Sequence, residues 1–200
     1  MGEQRMRIVG GQWRGRRLTA PHGAATRPTS ERVRESLFDA LTARLGVDLR
    51  GMAVLDLYAG TGALGLEALS RGASRAVFVE HARPALAALE TNIAACHART
   101  TTTVITGDAA GGGLQRASAL GPFALLLLDP PYRIGQDDVA AAVERLDLAG
   151  CLEDDVIVAY EHPTSAALSA PRDFEALRTY RHGDTSLTLL TRIDTGGGAS

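Results

Sequence analysis

From Ala53 onward, short apolar runs alternate with longer stretches whose apolar positions recur at helical spacing. Ala53-Val54-Leu55-Asp56-Leu57, Arg75 to Glu80, Thr102 to Thr106, Leu125 to Leu128 and Val156 to Tyr160 predict strands. The segments between them predict helices: one through Leu64 to Leu69, one over Pro84 to His97, a short one running towards Leu120, and one over Asp137 to Leu146. Phe174 to Tyr180 and Ser186 to Arg192 predict an antiparallel hairpin across His182-Gly183-Asp184. Strands alternating with helices imply an α/β fold, a doubly wound parallel sheet with helices on both faces. Ahead of it, Arg7-Ile8-Val9 and Arg17-Leu18-Thr19 flank a Gly-rich segment and predict a β-hairpin. Pro21 to Pro28 reads as loop, and Thr29-Ser30 offers an N-cap. Glu31 to Leu45 is helical in pattern, with Val33, Leu37, Phe38 and Leu41 on one face, until Gly46 to Gly51 break it. The expected organisation is an arm over residues 1–28, a domain over 29–194 and a structureless tail over 195–200.

The run Ala124-Leu125-Leu126-Leu127-Leu128 ends at Asp129-Pro130-Pro131-Tyr132. Proline has no N–H and biases the residue before it towards extended geometry, so the chain leaves the sheet as a stiff loop with spare carbonyls. A carboxylate at one end and an aromatic ring at the other suit a flat group that carries an amino substituent. A simple turn would also end a strand this way, but it leaves the glycine loop upstream unexplained.

That loop, Gly60-Thr61-Gly62-Ala63-Leu64-Gly65, fits G-x-G-x-x-G. Alone the pattern is weak. Here a strand precedes it, a helix follows it, and Glu80 ends the next strand, where a carboxylate can take the two hydroxyls of a ribose. Dinucleotides and S-adenosylmethionine both fit that description. Asp56, four residues before Gly60, separates them. A carboxylate there repels a pyrophosphate and attracts the ammonium and sulfonium of S-adenosylmethionine. Asp108, at the third strand end, can accept from an adenine amine. Either aspartate by itself could equally cap a loop; three acidic strand tips in series suit an adenosyl ligand without phosphates. The expected cofactor contacts are Asp56, Tyr58, Ala59, Gly60, Thr61, Gly62, Glu80, Asp108 and Ala109.

Composition changes the picture little: 45% hydrophobic and 22% charged residues are ordinary for a soluble globular chain. Cys96 and Cys151 are too few for a disulfide framework or a zinc site, and the five histidines show no ligand spacing, so no metal is expected. The N-terminus has no apolar signal segment, and the longest apolar runs are strand-sized; a cytoplasmic chain that makes no membrane contact is expected. Charge matters more. The first 35 residues hold eight arginines against three glutamates, about +5, which leaves about −7 for the remainder. A basic arm on an acidic body suggests a phosphate-bearing partner, although every basic residue of the chain is Arg, which looks like codon bias. Arg14, Arg16, Arg17, Arg27, Arg32, Arg34 and Arg133 are the candidate RNA contacts, each against the plainer reading of a solvated surface charge. Trp13 reads as a plug for the hairpin rather than a base platform.

Asp56 to Gly62 together with Asp129 to Tyr132 resemble the S-adenosylmethionine-dependent methyltransferases that modify amino nitrogens. Arg7 to Leu18, Arg27 to Phe38 and Gly62 to Gly72 are similar to the RsmD-type family, the bacterial 16S ribosomal RNA guanine-N2 methyltransferases. The resemblance covers about Arg7 to Arg192. It implies a class I methyltransferase fold, seven strands with the last antiparallel, plus an N-terminal hairpin that docks RNA. It implies S-adenosylmethionine as cofactor, S-adenosylhomocysteine as product, and one guanine of 16S rRNA in the small ribosomal subunit as target. Asp129 and the Pro130 carbonyl would then accept the two N–H groups of the guanine amine while Tyr132 stacks on the flipped base, Pro131 stiffening the loop. A monomer is expected. Four readings compete. DNA-adenine and protein-glutamine amino-methyltransferases share the tetrapeptide, and the glutamine enzymes resemble chains with a helical N-terminal domain. An NAD-dependent oxidoreductase leaves Asp56 and the tetrapeptide unexplained. A non-enzymatic RNA-binding protein has no need of the acidic tips.

Overall fold

The computed structural model describes residues 6–20 and 31–193. The loop expected over Pro21 to Pro28, the cap at Thr29-Ser30, and the tail lie outside the described residues.

Strands β1 (Met6–Arg7) and β2 (Arg17–Leu18) pair antiparallel, with a 3-10 turn over Gly11–Trp13 between them. The expected hairpin is present with short strands. Helix α1 (Glu31–Asp39) follows, and Ala40–Arg44 continue it as a wider π turn. The alternating body is β3 (Ala53–Asp56), α2 (Ala63–Ser70), β4 (Arg75–Glu80), α3 (Arg83–Ala95), β5 (Thr102–Thr106), α4 (Gly112–Ser118), β6 (Phe123–Leu128), α5 (Gln136–Leu148) and β7 (Leu152–Pro163). Strands β8 (Phe174–His182) and β9 (Thr185–Arg192) close the chain as the expected hairpin.

The seven strands lie in the order β5-β4-β3-β6-β7-β9-β8. Neighbours from β5 to β7 are parallel, and β9 runs against both β7 and β8. Central β3 and β6 are buried along their whole length, which is why they read as continuous apolar runs rather than alternating ones. Successive side chains point to opposite faces. Val54, Phe78, Leu125 and Leu127 pack with α1, α2 and α3, whereas Leu55, Val77, Leu126 and Leu128 pack with α4 and α5.

Helix α2 is buried on every side, Glu67 and Ser70 included. The sheet covers its inner face, and the N-terminal arm contributes Met6, Ile8 and Leu18 to the same core, with Trp13 packed against it as the expected plug. The arm therefore forms an outer layer over α2.

Because β3 is followed by a crossover towards β4 and β6 by one towards β7, the two strand ends diverge. In doubly wound sheets a ligand crevice opens at such a point, beyond the carboxyl ends of the strands.

Candidate active site

The backbone of the glycine loop is tied to the sheet before it turns. The Leu57 N–H donates to the Leu127 carbonyl at 3.0 Å and the Ala59 N–H to the Val79 carbonyl at 3.1 Å. Gly60 and Gly62 then take φ of 54° and 77°, a left-handed bend that side chains resist. A Cβ on Gly62 would meet Leu89 of α3 at 2.3 Å, and one on Gly65 would meet the Phe78 ring of β4 at 2.4 Å, so Gly62 lets the loop lie against α3 and Gly65 lets α2 approach the sheet. Gly60 is different: a Cβ there meets only the Tyr58 carbonyl, at 4.0 Å. The loop faces open space at that position, which suits close approach of a ligand to the backbone.

Four acidic residues stand at the ends of adjacent strands. Asp56 is 1% exposed, and its Oδ2 accepts from the Gly65 N–H at 2.9 Å. Burial, followed by the charges of Asp129 and Glu80, pushes its carboxyl up to about 7 against the pull of the Gly65 bond. Its observed partner is the loop itself, from the floor of the crevice. Glu80 holds the same loop from the other side. Its Oε2 accepts from the Gly60 N–H at 2.8 Å, and its Oε1 from His81 and Ala82 N–H at 2.8 and 2.7 Å. Asp108 Oδ1 accepts from the Ala110 N–H at 2.8 Å, and the Asp108 carbonyl receives Gly113 N–H at 3.0 Å as α4 begins. Ala109 is buried beside it. The Tyr58 hydroxyl is buried with no hydrogen-bond partner among the described residues, and burial together with Asp108 and Asp138 raises its pKa to about 12.

After Leu128 the Asp129 to Pro131 stretch is half-buried, and the Ile134 N–H donates to the Pro131 carbonyl at 2.9 Å, closing a turn. Tyr132 is 71% exposed. The ring stands at the surface of a loop stiffened by two prolines instead of packing into the core. Arg133 Nη2 lies 3.4 Å from His81 Nε2, and His81 Nδ1 lies 3.6 Å from Glu80 Oε1. This contact crosses the end of β3, which sits between β4 and β6.

The crevice therefore gathers Asp56, Glu80 and Asp129 at three neighbouring strand ends, beside open space at Gly60. Its negative field and orphaned Tyr58 hydroxyl fit a cationic ligand with polar hydroxyl and amine groups. S-adenosylmethionine matches that description. Among the described residues, no three His, Cys, Asp or Glu side chains come together as a metal site requires.

The basic candidates separate into three groups. Arg14, Arg17, Arg32 and Arg133 are exposed. Arg16 is half-buried and donates from Nη1 to the Ala95 carbonyl. Arg34 corrects the expectation of an RNA contact: it is 0% exposed, because α1 turns it under the arm. There its Nη2 donates to the Arg7 carbonyl at 2.6 Å. Burial pulls its pKa down, opposed by Glu67, Glu31 and Glu161. Arg27 lies outside the described residues.

Sequence reasoning assigned no role to the residues that hold the arm in place. Glu67 accepts from the Val9 and Gly10 N–H groups at 2.8 and 2.7 Å and from Arg71 Nε at 2.9 Å. Ser70 Oγ donates to the Gly10 carbonyl at 2.6 Å and accepts from the Trp13 N–H at 2.9 Å. Asn92 is bonded to Thr19 and Thr61. A signal existed for Glu67: a lone carboxylate inside the apolar helix Ala63-Leu64-Gly65-Leu66-Glu67-Ala68-Leu69 must be paired if that helix is buried.

The sheet order, glycine loop and acidic strand ends define a class I methyltransferase fold with an N-terminal hairpin. Residues 6–191 match the family described as Conserved hypothetical protein 95, the RsmD family, and the chain belongs to it. It is 35% identical over 192 residues to Ribosomal RNA small subunit methyltransferase D of Escherichia coli strain K12, covering 96% of this chain and 92% of that one. Among solved structures it is similar to "Putative methyltransferase yhhF from Escherichia coli", with a TM-score of 0.77 and 31% identity over 94% of this chain and 98% of the other. It is also similar to a hypothetical protein of Thermus thermophilus, with a TM-score of 0.74 and 29% identity over 92% and 98% of the two chains. The chain is an enzyme of the methyltransferase class.

Proposed function

We propose that this chain transfers a methyl group from S-adenosylmethionine to the exocyclic N2 amine of one guanine in the 16S rRNA of the small ribosomal subunit. The observation that carries this reading is the exposed Tyr132 on a proline-stiffened loop, one strand away from a buried acidic crevice. Membership of the RsmD family supports the choice of RNA, as does the relative named Ribosomal RNA small subunit methyltransferase D. Residues 1–28 serve as the RNA-docking arm and 29–194 as the catalytic domain.

S-adenosylmethionine, when bound, supplies a methyl group activated by a sulfonium. Gly60, Thr61 and Gly62 would line its approach with Ala59, and Tyr58 would meet it with its unpartnered hydroxyl. Glu80 Oε2, which carries one donor, has a lone pair left for a ribose hydroxyl. Asp108 and Ala109 would meet the adenine edge. Asp56 holds the loop and places its carboxyl at the floor.

The guanine amine is a weak nucleophile because its lone pair is delocalised into the ring. Asp129 and the Pro130 carbonyl accept its two N–H groups, which draws the lone pair out of conjugation and aims it at the crevice. Tyr132 covers the face of the flipped base. As the nitrogen–carbon bond forms, the methyl–sulfur bond would break and its electron pair would stay on sulfur, leaving neutral S-adenosylhomocysteine; the nitrogen loses one proton, for which Asp129 is the nearest carboxylate in the loop. The rate gain comes from positioning and charge complementarity. Arg14, Arg17, Arg32 and Arg133 meet phosphates.

The test uses small subunits from a strain lacking the enzyme, with methyl-labelled S-adenosylmethionine. Label is expected on the N2 of one guanine. Label on adenine, or on protein, would overturn the reading.

A further inference from the structure

We infer that Asn92 is a positioning residue that ties the RNA-docking arm to the cofactor loop, so that RNA and cofactor strengthen each other's binding. This rests on the function proposed above.

Asn92 lies on α3 and is fully buried, although its side chain is polar. Its Nδ2 donates to the Thr61 carbonyl at 2.9 Å and to the Thr19 carbonyl at 3.0 Å. Its Oδ1 accepts from the Thr19 N–H at 2.7 Å. Both amide hydrogens and the oxygen are engaged, and the Thr19 N–H settles which end of the amide is oxygen. One side chain therefore binds two segments far apart in sequence. Thr61 sits between Gly60 and Gly62, the two left-handed positions of the cofactor loop. Thr19 directly follows β2, which carries the exposed Arg17.

A second contact joins the same two segments. Thr61 Oγ1 lies 3.8 Å from the Met6 sulfur, on β1. The arm thus reaches Thr61 from both sides of its hairpin, once directly from β1 and once from Thr19, just after β2, through Asn92. Elsewhere the arm rests on α2 and α3, through Glu67, Ser70 and the Ala95 carbonyl. The Asn92 and Met6 contacts reach the loop itself. Whatever orders the arm orders the Thr61 peptide, and a cofactor seated on the loop orders Thr19 in return. Two ligands that each stabilise one arrangement of a shared element bind with positive coupling, and the coupling is reciprocal.

The experiment measures the affinity of labelled S-adenosylhomocysteine by equilibrium dialysis, with and without saturating unmethylated small subunits. It compares the wild-type chain with Asn92→Asp, whose carboxylate can accept from Thr19 but cannot donate to either carbonyl. Subunits are expected to tighten the wild-type affinity by about fivefold or more, the usual lower range of such coupling. In Asn92→Asp the factor is expected to fall close to one. An unchanged factor in Asn92→Asp, or no tightening in the wild type, overturns the inference. Should Asn92→Asp fail to fold, hydrogen exchange on the wild-type chain decides: subunit binding without cofactor must slow the amides of residues 60–62, and unchanged exchange overturns the inference. A wild-type chain that binds no S-adenosylhomocysteine overturns the methyltransferase reading and this inference with it; binding without coupling overturns this inference alone.

Discussion

The two places where this chain concentrates charge are built in opposite ways. Under the arm, Glu67, Arg34, Arg71 and Ser70 are buried or nearly so, and Glu67 takes three donors within 2.9 Å. At the strand ends, Tyr132 stands 71% exposed and the Tyr58 hydroxyl is orphaned. A buried carboxylate that takes three donors locks one arrangement of the backbone, whereas an exposed ring and a buried hydroxyl with no partner among the described residues leave binding capacity for a ligand. The charges buried under the arm hold structure, and at the strand ends Glu80 and Asp56 hold the glycine loop while the Tyr132 ring is left exposed.

Removing a member from each region shows the contrast most sharply. Asp129→Ala is expected to lower turnover by about 10²-fold or more while S-adenosylhomocysteine affinity changes little, as labelled transfer and dialysis will show. A variant that turns over at the wild-type rate would sink the role given to Asp129. Glu67→Ala should leave the chemistry groups in place yet destabilise the fold by about 3 kcal/mol, because Arg71 and two backbone N–H groups lose their acceptor and the buried Arg34 loses a neighbouring opposite charge. Denaturant unfolding measures it; a loss under about 1 kcal/mol would mean that water replaces the carboxylate.

Asp56 belongs to both regions, being buried like the clamp and placed like the site. Its carboxyl is raised from 3.8 to about 7, so the folded chain keeps a proton that the unfolded chain releases. Stability is therefore full below about 4 and declines as pH rises to about 7. Asp56→Asn, which can still accept from Gly65, should remove that decline. Parallel pH slopes for the two proteins would show that Asp56 titrates normally.

The smallest effects are expected among the arginines. Replacing Arg14 and Arg17 together with Ala should lower the salt dependence of RNA binding by about one unit of slope for each phosphate no longer neutralised. Arg34→Ala should leave that slope unchanged and lower the melting temperature instead. An altered slope for Arg34→Ala would return it to the interface.

These contrasts also separate what could be read along the chain from what could not. The stiff loop at Asp129 was legible because proline acts on its own neighbours, and the glycine loop because strand, turn and helix are contiguous. The final hairpin was legible because its turn is short. Arg34 was overlooked although it stands three and four positions before Leu37 and Phe38 on the inward face of α1; what the chain order does not show is the arm that folds over it and supplies the Arg7 carbonyl. Asn92 was not legible, since its partners lie 73 and 31 residues away. An asparagine in an Ala-rich helix reads as a surface residue until a second segment covers it.

By itself, then, the sequence determined the alternation of strands and helices, the acidic strand ends at Asp56, Glu80, Asp108 and Asp129, and the stiff loop that carries Tyr132. Each follows from local rules: side-chain periodicity, the missing N–H of proline, the permissive backbone of glycine. The tertiary structure alone decided that Arg34 bonds the arm, that a buried carboxylate anchors it, and that one asparagine joins the arm to the glycine loop. Those outcomes depend on burial, and burial is a property of segments brought together across the chain.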